Sequence, residues 1–447
     1  MIRRLRISLE EPVAVADGEP FQGFWRCLDY VPGTAIRGAL AQAVLAHSPP
    51  TAPEFRALFL EAPVIFRNGY LEREKGRRAL PAAAICPGEA ARVTAHLTVS
   101  RWAAAAMQGQ GSAAVGPAAD AGRPGSVGGQ GASPAGPLVT RVVTPIPHPR
   151  EQRASSNPGP EKTLFVGTSI HRSTGTAHPK LLFGIEALDP GQTFLSEVVG
   201  SPEQLTRVER WLERLEGHLF LGAETSRGMG RVSLELLPDS EPGSTVLSCP
   251  GEEWAGCDSV AQAVESFTAA VHEELDRLGD WVEAHAATAA SQTDWHQRLR
   301  GQFQAEREAV YIGLALASRL VLPDPWDLPD RFWDPLGVRA RLTELGVPPE
   351  TLAGLVLACG RLRSCVVSGW NQAWGLPKPS RPGLEAGGVA VYRCRRVPDQ
   401  AQRQLAAALE CLLVEGLGER RAEGFGELTL LPGRGLTKAG GDERDHR

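Results

Sequence analysis

The sequence predicts an α+β protein of two ferredoxin-like domains, with a disordered insertion in the first and a helical excursion between them. Three observations carry that prediction. Short strand-like segments alternate with amphipathic helical ones in the order strand, helix, strands, helix, strand. A helix, glycine-rich loop and strand occur near the end of each half. A long Ala/Gly/Pro/Ser/Gln stretch, residues 103–136, interrupts sequence that otherwise patterns as folded.

The elements follow in order. Residues 2–9 alternate as a first strand, and 13–16 read as a second short one. Pro32-Gly33-Thr34 supplies turn and N-cap chemistry for a helix over 34–47, whose stripe is Ile36, Leu40, Val44 and Leu45. Strands are predicted near 62–67, 92–101 and 138–146, then a hairpin over 163–187 and a strand at 192–199. Leu205, Val208, Trp211, Leu212 and Leu215 recur at helical spacing. In the second half, 309–322 reads as a strand and 398–415 as a helix. The stretch 249–307 carries helical pattern. The expected domains are 1–240 and 309–432, with a helical linker at 241–308 and a frayed tail at 433–447.

The repeat supports two related domains. Leu221 falls on Leu417, Gly222 on Gly418, Gly228 on Gly424, Gly230 on Gly426, Val232 on Leu428 and Leu234 on Leu430, without a gap. Each copy follows an amphipathic helix and runs into an alternating strand, Val232–Leu236 or Leu428–Leu430.

Bulk composition excludes more than it assigns. With 447 residues, 42% hydrophobic and 22% charged, the chain can bury two cores. No apolar run reaches transmembrane length, and no signal-like core follows the basic start, so a cytoplasmic protein is expected. The eight cysteines, Cys27, Cys86, Cys249, Cys257, Cys359, Cys365, Cys394 and Cys411, form no C-x-x-C pair and read as incidental thiols. A metal at Cys249/Cys257 or Cys359/Cys365 is the lesser reading. The net charge of −5 does not favour nucleic acid, so a polyanion would have to meet local patches. Those are Arg3/Arg4/Arg6, Arg73–Arg78 and Arg141–Arg153.

The first glycine loop, Gly222 to Arg231, is polar and basic. Its glycines and successive amides could form an anion-binding concavity, with Arg227 and Arg231 on phosphates. It runs from helix into strand, the reverse of a dinucleotide or P-loop site, so no nucleotide cofactor is expected. A tight helix-to-strand turn is the competing structural reading. The second loop, Gly418 to Gly426, sets Glu419 and Glu423 against Arg420 and Arg421, and is read more readily as a turn. Where the first copy has Arg227 and Arg231, the second has Glu423 and Glu427.

These loops, the Tyr30–Leu40 turn into helix and the ferredoxin-like order resemble the CRISPR-associated RAMP superfamily. Gly167–Ala177, Leu182-Phe183, Gly191–Phe194, Val367–Asn371, Gly375–Lys378 and Gly387–Val389 resemble its two-domain type III-D subunit, the Csx-ten family. The resemblance implies a non-catalytic subunit that holds guide RNA near its 5′ handle. Its implied partners are other RAMP subunits and a large signalling subunit, with no cofactor and no metal. Carried onto this chain, it implies RNA contacts at Thr34 and Arg37, at Ile170, His171 and Arg172, and at Gly222, Ser226, Arg227, Gly228, Gly230 and Arg231. Family members often have another polar residue at position 171.

Relatives that cut RNA give the alternative, an endoribonuclease using Asp29, Asp17 or His171. An aspartate before a turn more often caps it, and His171 reads first as an RNA contact. His47, ending a helix, reads as structural. Asp324, Asp327, Asp330 and Asp334 among prolines and aromatics read as a solvated loop before a metal site. Trp370 and Trp374 could stack on unpaired bases or pack on their own domain.

Overall fold

The computed structural model describes residues 1–16, 23–73, 77–81, 87–107, 141–147, 159–171, 173–174, 176–238, 259–286, 301–304, 306–323, 334–352, 354–371 and 375–431. Most of the predicted insertion, the tail, Asp17 and Arg172 lie outside these residues.

The first half comprises β1 (Ile2–Leu9), β2 (Phe24–Trp25), α1 (Gly33–Leu45), α2 (Pro53–Phe59), β3 (Ile65–Phe66), β4 (Tyr70–Arg73) and β5 (Arg77–Arg78). It continues through α3 (Pro87–Met107), β6 (Arg141–Pro147), β7 (Lys162–Ile170), β8 (Ala177–Leu188), β9 (Thr193–Val199), α4 (Pro202–Arg214), β10 (His218–Phe220) and β11 (Arg231–Leu236). Its main sheet runs β10-β11-β1-β9-β4-β5, with β3 also on β9. β1 alternates because only one of its faces meets the core: Leu5, Ile7 and Leu9 are buried against α1 and α4, through Ile36, Leu40, Leu205 and Val208. Ser201 and Gln204 close a capping box at the start of α4. A second sheet, β2-β8-β7-β6, stands beside the first.

The second half follows α5 (Val260–Ala286). Its strands are β12 (Ala309–Leu316), β13 (Leu320–Val321), β14 (Val356–Arg361), β15 (Ser364–Val367), β16 (Trp370–Asn371), β17 (Leu376–Pro377), β18 (Arg381–Leu384), β19 (Val389–Arg395) and β20 (Leu428–Leu430). The main sheet is β14-β19-β12-β20, with helix Asp399–Glu415 between β19 and β20. Both main sheets share one order: last strand, first strand, third, second, all antiparallel. That is the strand order of a βαββαβ path.

Every residue of β12 is buried, so it reads as a continuous apolar run. One face meets Leu405, Leu409 and Leu412 of the last helix, and the other meets α3 and α5 through Ala91, Ala95, Phe267 and Val271. Here the sequence reading of 92–101 as a strand is corrected: it lies within α3. Val93, Thr94, Thr98 and Val99 gave a β-like composition, but Ala91, Thr94, Ala95 and Thr98 are buried at helical spacing. The Thr94 and Thr98 hydroxyls donate to the carbonyls of Ala90 and Thr94 at 2.7 and 2.8 Å, so neither buried hydroxyl is left without a partner. Residues 13–16 form isolated bridges rather than a strand, and the predicted 309–322 strand breaks between β12 and β13.

Candidate nucleic-acid interface

The two glycine loops have the same backbone. Each contains a single 3-10 turn, Thr225–Arg227 or Arg421–Glu423, preceded by a left-handed residue, Glu224 (φ +59°) or Arg420 (φ +57°). Gly228 and Gly424 follow, also left-handed. Each loop is laced to the segment after the first strand of its own half. Ala223 N–H donates to Ala14 O (2.9 Å) as Glu419 N–H does to Val321 O (3.0 Å). Gly230 N–H donates to Pro12 O as Gly426 N–H does to Arg319 O. A Cβ on Gly230 or Gly426 would lie 2.5 or 1.8 Å from the carbonyl oxygen of Leu221 or Leu417. Close backbone approach therefore accounts for these glycines in both copies.

Their surroundings differ. In the first loop Gly222, Ser226, Arg227 and Gly228 are exposed, while Met229 packs with Phe165, Ile185 and Ala187 and so joins the loop to the β7–β8 sheet. Arg227 pairs with Glu224, and Arg231 with Glu10 at 2.8 Å, yet both arginine side chains keep nearly half their surface in solvent. At the tip of the β7–β8 hairpin His171 is exposed, its Nδ1 2.9 Å from Ser173 Oγ. Ile170 is half-buried opposite Ala177.

The second loop faces the first half of the chain. Glu423 accepts from Thr34 Oγ1 (3.2 Å), Lys378 Nζ (2.6 Å) and Arg420 Nη2 (2.7 Å). Burial pushes its carboxyl up, but the hydrogen bonds from Arg420 and Lys378 overcome this and hold it at about 2. A Cβ on Gly424 would lie 2.7 Å from Asn68 Oδ1, and the same oxygen accepts from Gly33 N–H at 2.9 Å. The start of α1 is thus occupied from within. Its N-cap is Pro32, not Thr34, and Arg37 donates to Phe59 O at 2.7 Å with its guanidinium over the Phe59 ring. Burial lowers the pKa of Arg37, opposed by Glu423.

The predicted contact residues therefore fall in two places. Ile170, His171 and the first loop border one sheet, whereas Thr34 and Arg37 sit at the joint between the halves.

Sequence reasoning missed the centre of that joint. Arg67, Arg78, Glu197 and Glu427 form a buried quartet: Arg67–Glu197 2.5 Å, Arg67–Glu427 3.4 Å, Arg78–Glu197 3.0 Å and Arg78–Glu427 2.7 Å. Arg67 also donates to the carbonyls of Leu413 and Val414, and Tyr70 Oη to that of Ala317. Burial raises the Glu427 pKa, but Arg78 and Arg67 prevail and lower it. An arginine after an apolar strand and a glutamate after a glycine look alike in any surface turn, so the sequence carried no signal for this.

The candidates for chemistry have structural partners. Asp29 pairs with Lys162 at 2.5 Å, and Lys162 also donates to Cys27 O. Asp334 accepts from Val338 and Arg339 N–H and from Tyr392 Oη, capping helix Val338–Glu344. His47 Nδ1 lies 3.0 Å from Ala43 O, and its ring lies near Trp211. Cys27, Cys359, Cys365, Cys394 and Cys411 are free thiols, and burial pushes Cys27 and Cys394 up to about 11. Among the described residues no group of three His, Cys, Asp or Glu could hold a metal, and no helix is long and apolar enough to cross a membrane. Asp324, Asp327, Asp330, Trp374, Cys86, Cys249 and Cys257 lie outside those residues.

No curated protein matches the chain. Among solved structures it is similar to the type III-B Cmr-beta complex bound to cognate target RNA and AMPPnP, with a TM-score of 0.37 and 10% identity over 91% of this chain and 93% of that one. A Cas6 product complex gives a TM-score of 0.35 and 11% identity over 96% and 100%, and a CRISPR associated protein Cas6 gives 0.32 and 10% over 96% and 99%. At such scores the backbones diverge too far for residues to be matched. The model of the RAMP superfamily matches residues 6–233, just over half of the chain, from β1 through the first glycine loop into β11. The chain belongs to the RAMP superfamily.

Proposed function

We propose that this protein is a non-catalytic, RNA-binding subunit of a type III CRISPR effector complex, of the two-domain type III-D kind called the Csx-ten family. In this reading residues 1–240 and 309–432 are two ferredoxin-like RAMP domains, and the protein works in the cytoplasm. It holds guide RNA near the 5′ handle, beside other RAMP subunits and the large signalling subunit. The observation that carries the reading is the inequality of the two glycine loops. The backbones match, yet the second is sealed against α1 and the first is left exposed with Arg227 and Arg231 on its rim. An exposed turn with two half-solvated guanidinium groups suits a phosphate backbone, which would displace Glu224 and Glu10 as their partners. Ile170 and His171 continue along the β7–β8 hairpin, against which the first loop packs through Met229.

The test is binding of labelled guide-repeat RNA to the full chain across a salt series. Arg227→Ala with Arg231→Ala should weaken binding and lower the log–log salt slope by about 1.4, at ~0.7 per lost contact to single-stranded RNA. An unchanged slope would show the first loop to be only a turn. Cleavage of the RNA that is lost on Asp29→Ala or His171→Ala would refute the non-catalytic part.

A further inference from the structure

In a chain of net charge −5, the stretch from Thr351 to Leu384 contains Arg361, Arg363, Lys378 and Arg381 and no aspartate or glutamate. It folds as β14, β15, the β16–β17 hairpin and β18. β15 pairs with β18 on one side, and Ser364 and Val366 point to solvent while Val367 is buried. Val366 (69% exposed), Trp370 (59%) and Leu376 (58%) are among the most exposed large apolar side chains of the described residues. The hairpin base is anchored: Lys378 N–H donates to Gly369 O at 2.7 Å, and Lys378 Nζ is held by Glu423 of the second glycine loop. Trp370 is therefore presented from a fixed base. Arg361 and Arg363, at the other end of β15, have exposed side chains that make no ion pair among the described residues.

From this juxtaposition we infer that the β14–β18 ribbon of the second half is a second contact surface for single-stranded RNA, on which Trp370 stacks an unpaired base while Arg361 and Arg363 hold phosphates. The inference rests on the RNA-binding reading above and adds a surface remote in sequence from the first glycine loop. A single exposed apolar side chain is ordinary, but Val366, Trp370 and Leu376 fall on one ribbon, and clustered exposed apolar surface marks a contact site. Two features together specify the cover. Lys378 and Arg381 are engaged by Glu423 and Glu419 of the second loop, so Arg361 and Arg363 are the cations that select a polyanion. A flat exposed indole selects a partner with π-faces. Single-stranded RNA offers both at once. Arg363 and Trp370 are seven residues apart, at most about 23 Å along extended chain, so one strand of a few nucleotides spans both ends.

The experiment measures anisotropy of a fluorescein-labelled oligouridylate against the full chain and its variants. Trp370→Ala should weaken binding roughly five- to a hundredfold, the range for one lost base stack, while Trp370→Phe keeps a ring and most of the affinity. Arg361→Ala with Arg363→Ala should lower the salt slope by about 1.4. Because Trp370 is largely exposed, the urea midpoint of Trp370→Ala should stay at the wild-type value, which separates lost contact from lost fold. Wild-type affinity in Trp370→Ala, with binding still sensitive to Arg227→Ala/Arg231→Ala, would overturn this inference and leave the first-loop reading standing. The same result with impaired co-assembly of Trp370→Ala with other effector subunits would also overturn it, assigning the ribbon to a protein. A wild-type chain that binds no RNA would overturn both.

Discussion

Glu427→Gln removes one negative charge from the buried quartet while filling the same space. Both Arg67 and Arg78 approach Glu427, at 3.4 and 2.7 Å, and all three side chains are less than a tenth exposed. At an effective dielectric near 20, unit charges with centres about 4 Å apart attract by roughly 4 kcal/mol, and Glu427 has two such partners. Repulsion from Glu197 across Arg78 and the desolvation of the carboxylate, several kcal/mol, stand against that sum. The expected net loss is about 3–5 kcal/mol, because the two guanidinium groups would then face one carboxylate in a dry site. The assay is urea unfolding of the full chain for wild type, Glu427→Gln, Arg78→Met and the double variant. The double variant restores neutrality, so it should cost less than the sum of the singles by about 0.5–3 kcal/mol. A single-variant effect within about 0.5 kcal/mol of wild type, or strict additivity, would refute the claim that this quartet ties the halves together.

Two further outcomes follow from the second loop. Glu423 is held below the ordinary carboxylate value of 4.5, so its contribution is complete above pH 4.5 and fades as the pH falls toward 2. It should amount to roughly 3 kcal/mol; acid titration of Glu423→Gln should be flatter than wild type across that window, and parallel curves would refute the pairing. Gly426→Ala and Gly228→Ala both place a side chain at φ +76°, but only at Gly426 would the Cβ strike a backbone oxygen. Gly228→Ala should cost about 1–2 kcal/mol and Gly426→Ala clearly more, read from thermal unfolding; equal costs would show that the lacing to Leu417 gives way.

What could be read from the sequence was what local pattern determines. The stripe Ile36/Leu40/Val44, the alternation of Leu5/Ile7/Leu9 and the unbroken run of β12 each report how many faces of an element are buried. The ungapped match of Gly222–Gly230 to Gly418–Gly426 reports a shared backbone, and the left-handed residues recur position for position. Contacts remote in sequence were not legible. α3 was misread because its packing partner, α5, lies far along the chain, and the β-branched composition of 93–99 outweighed a helical stripe made mostly of alanine. Thr34 and Arg37 read as free because nothing in their own segment shows that Glu423, 389 residues on, and the carbonyl at the end of α2, 22 residues on, engage them.

The acidic residues of the second loop have a structural task of their own: Glu423 and Glu427 are not merely the absence of arginines. Each has cationic partners, Lys378 and Arg420 for one, Arg67 and Arg78 for the other, that would be left short of negative charge in a poorly solvated place if it were lost. A duplicated loop that joins the halves must present charges its own chain can neutralise. The copy released from that task can carry charges that only a separate partner satisfies. Arg227 and Arg231 are paired only at the surface, with Glu224 and Glu10, so under the proposed reading a phosphate could take those places without leaving a buried charge.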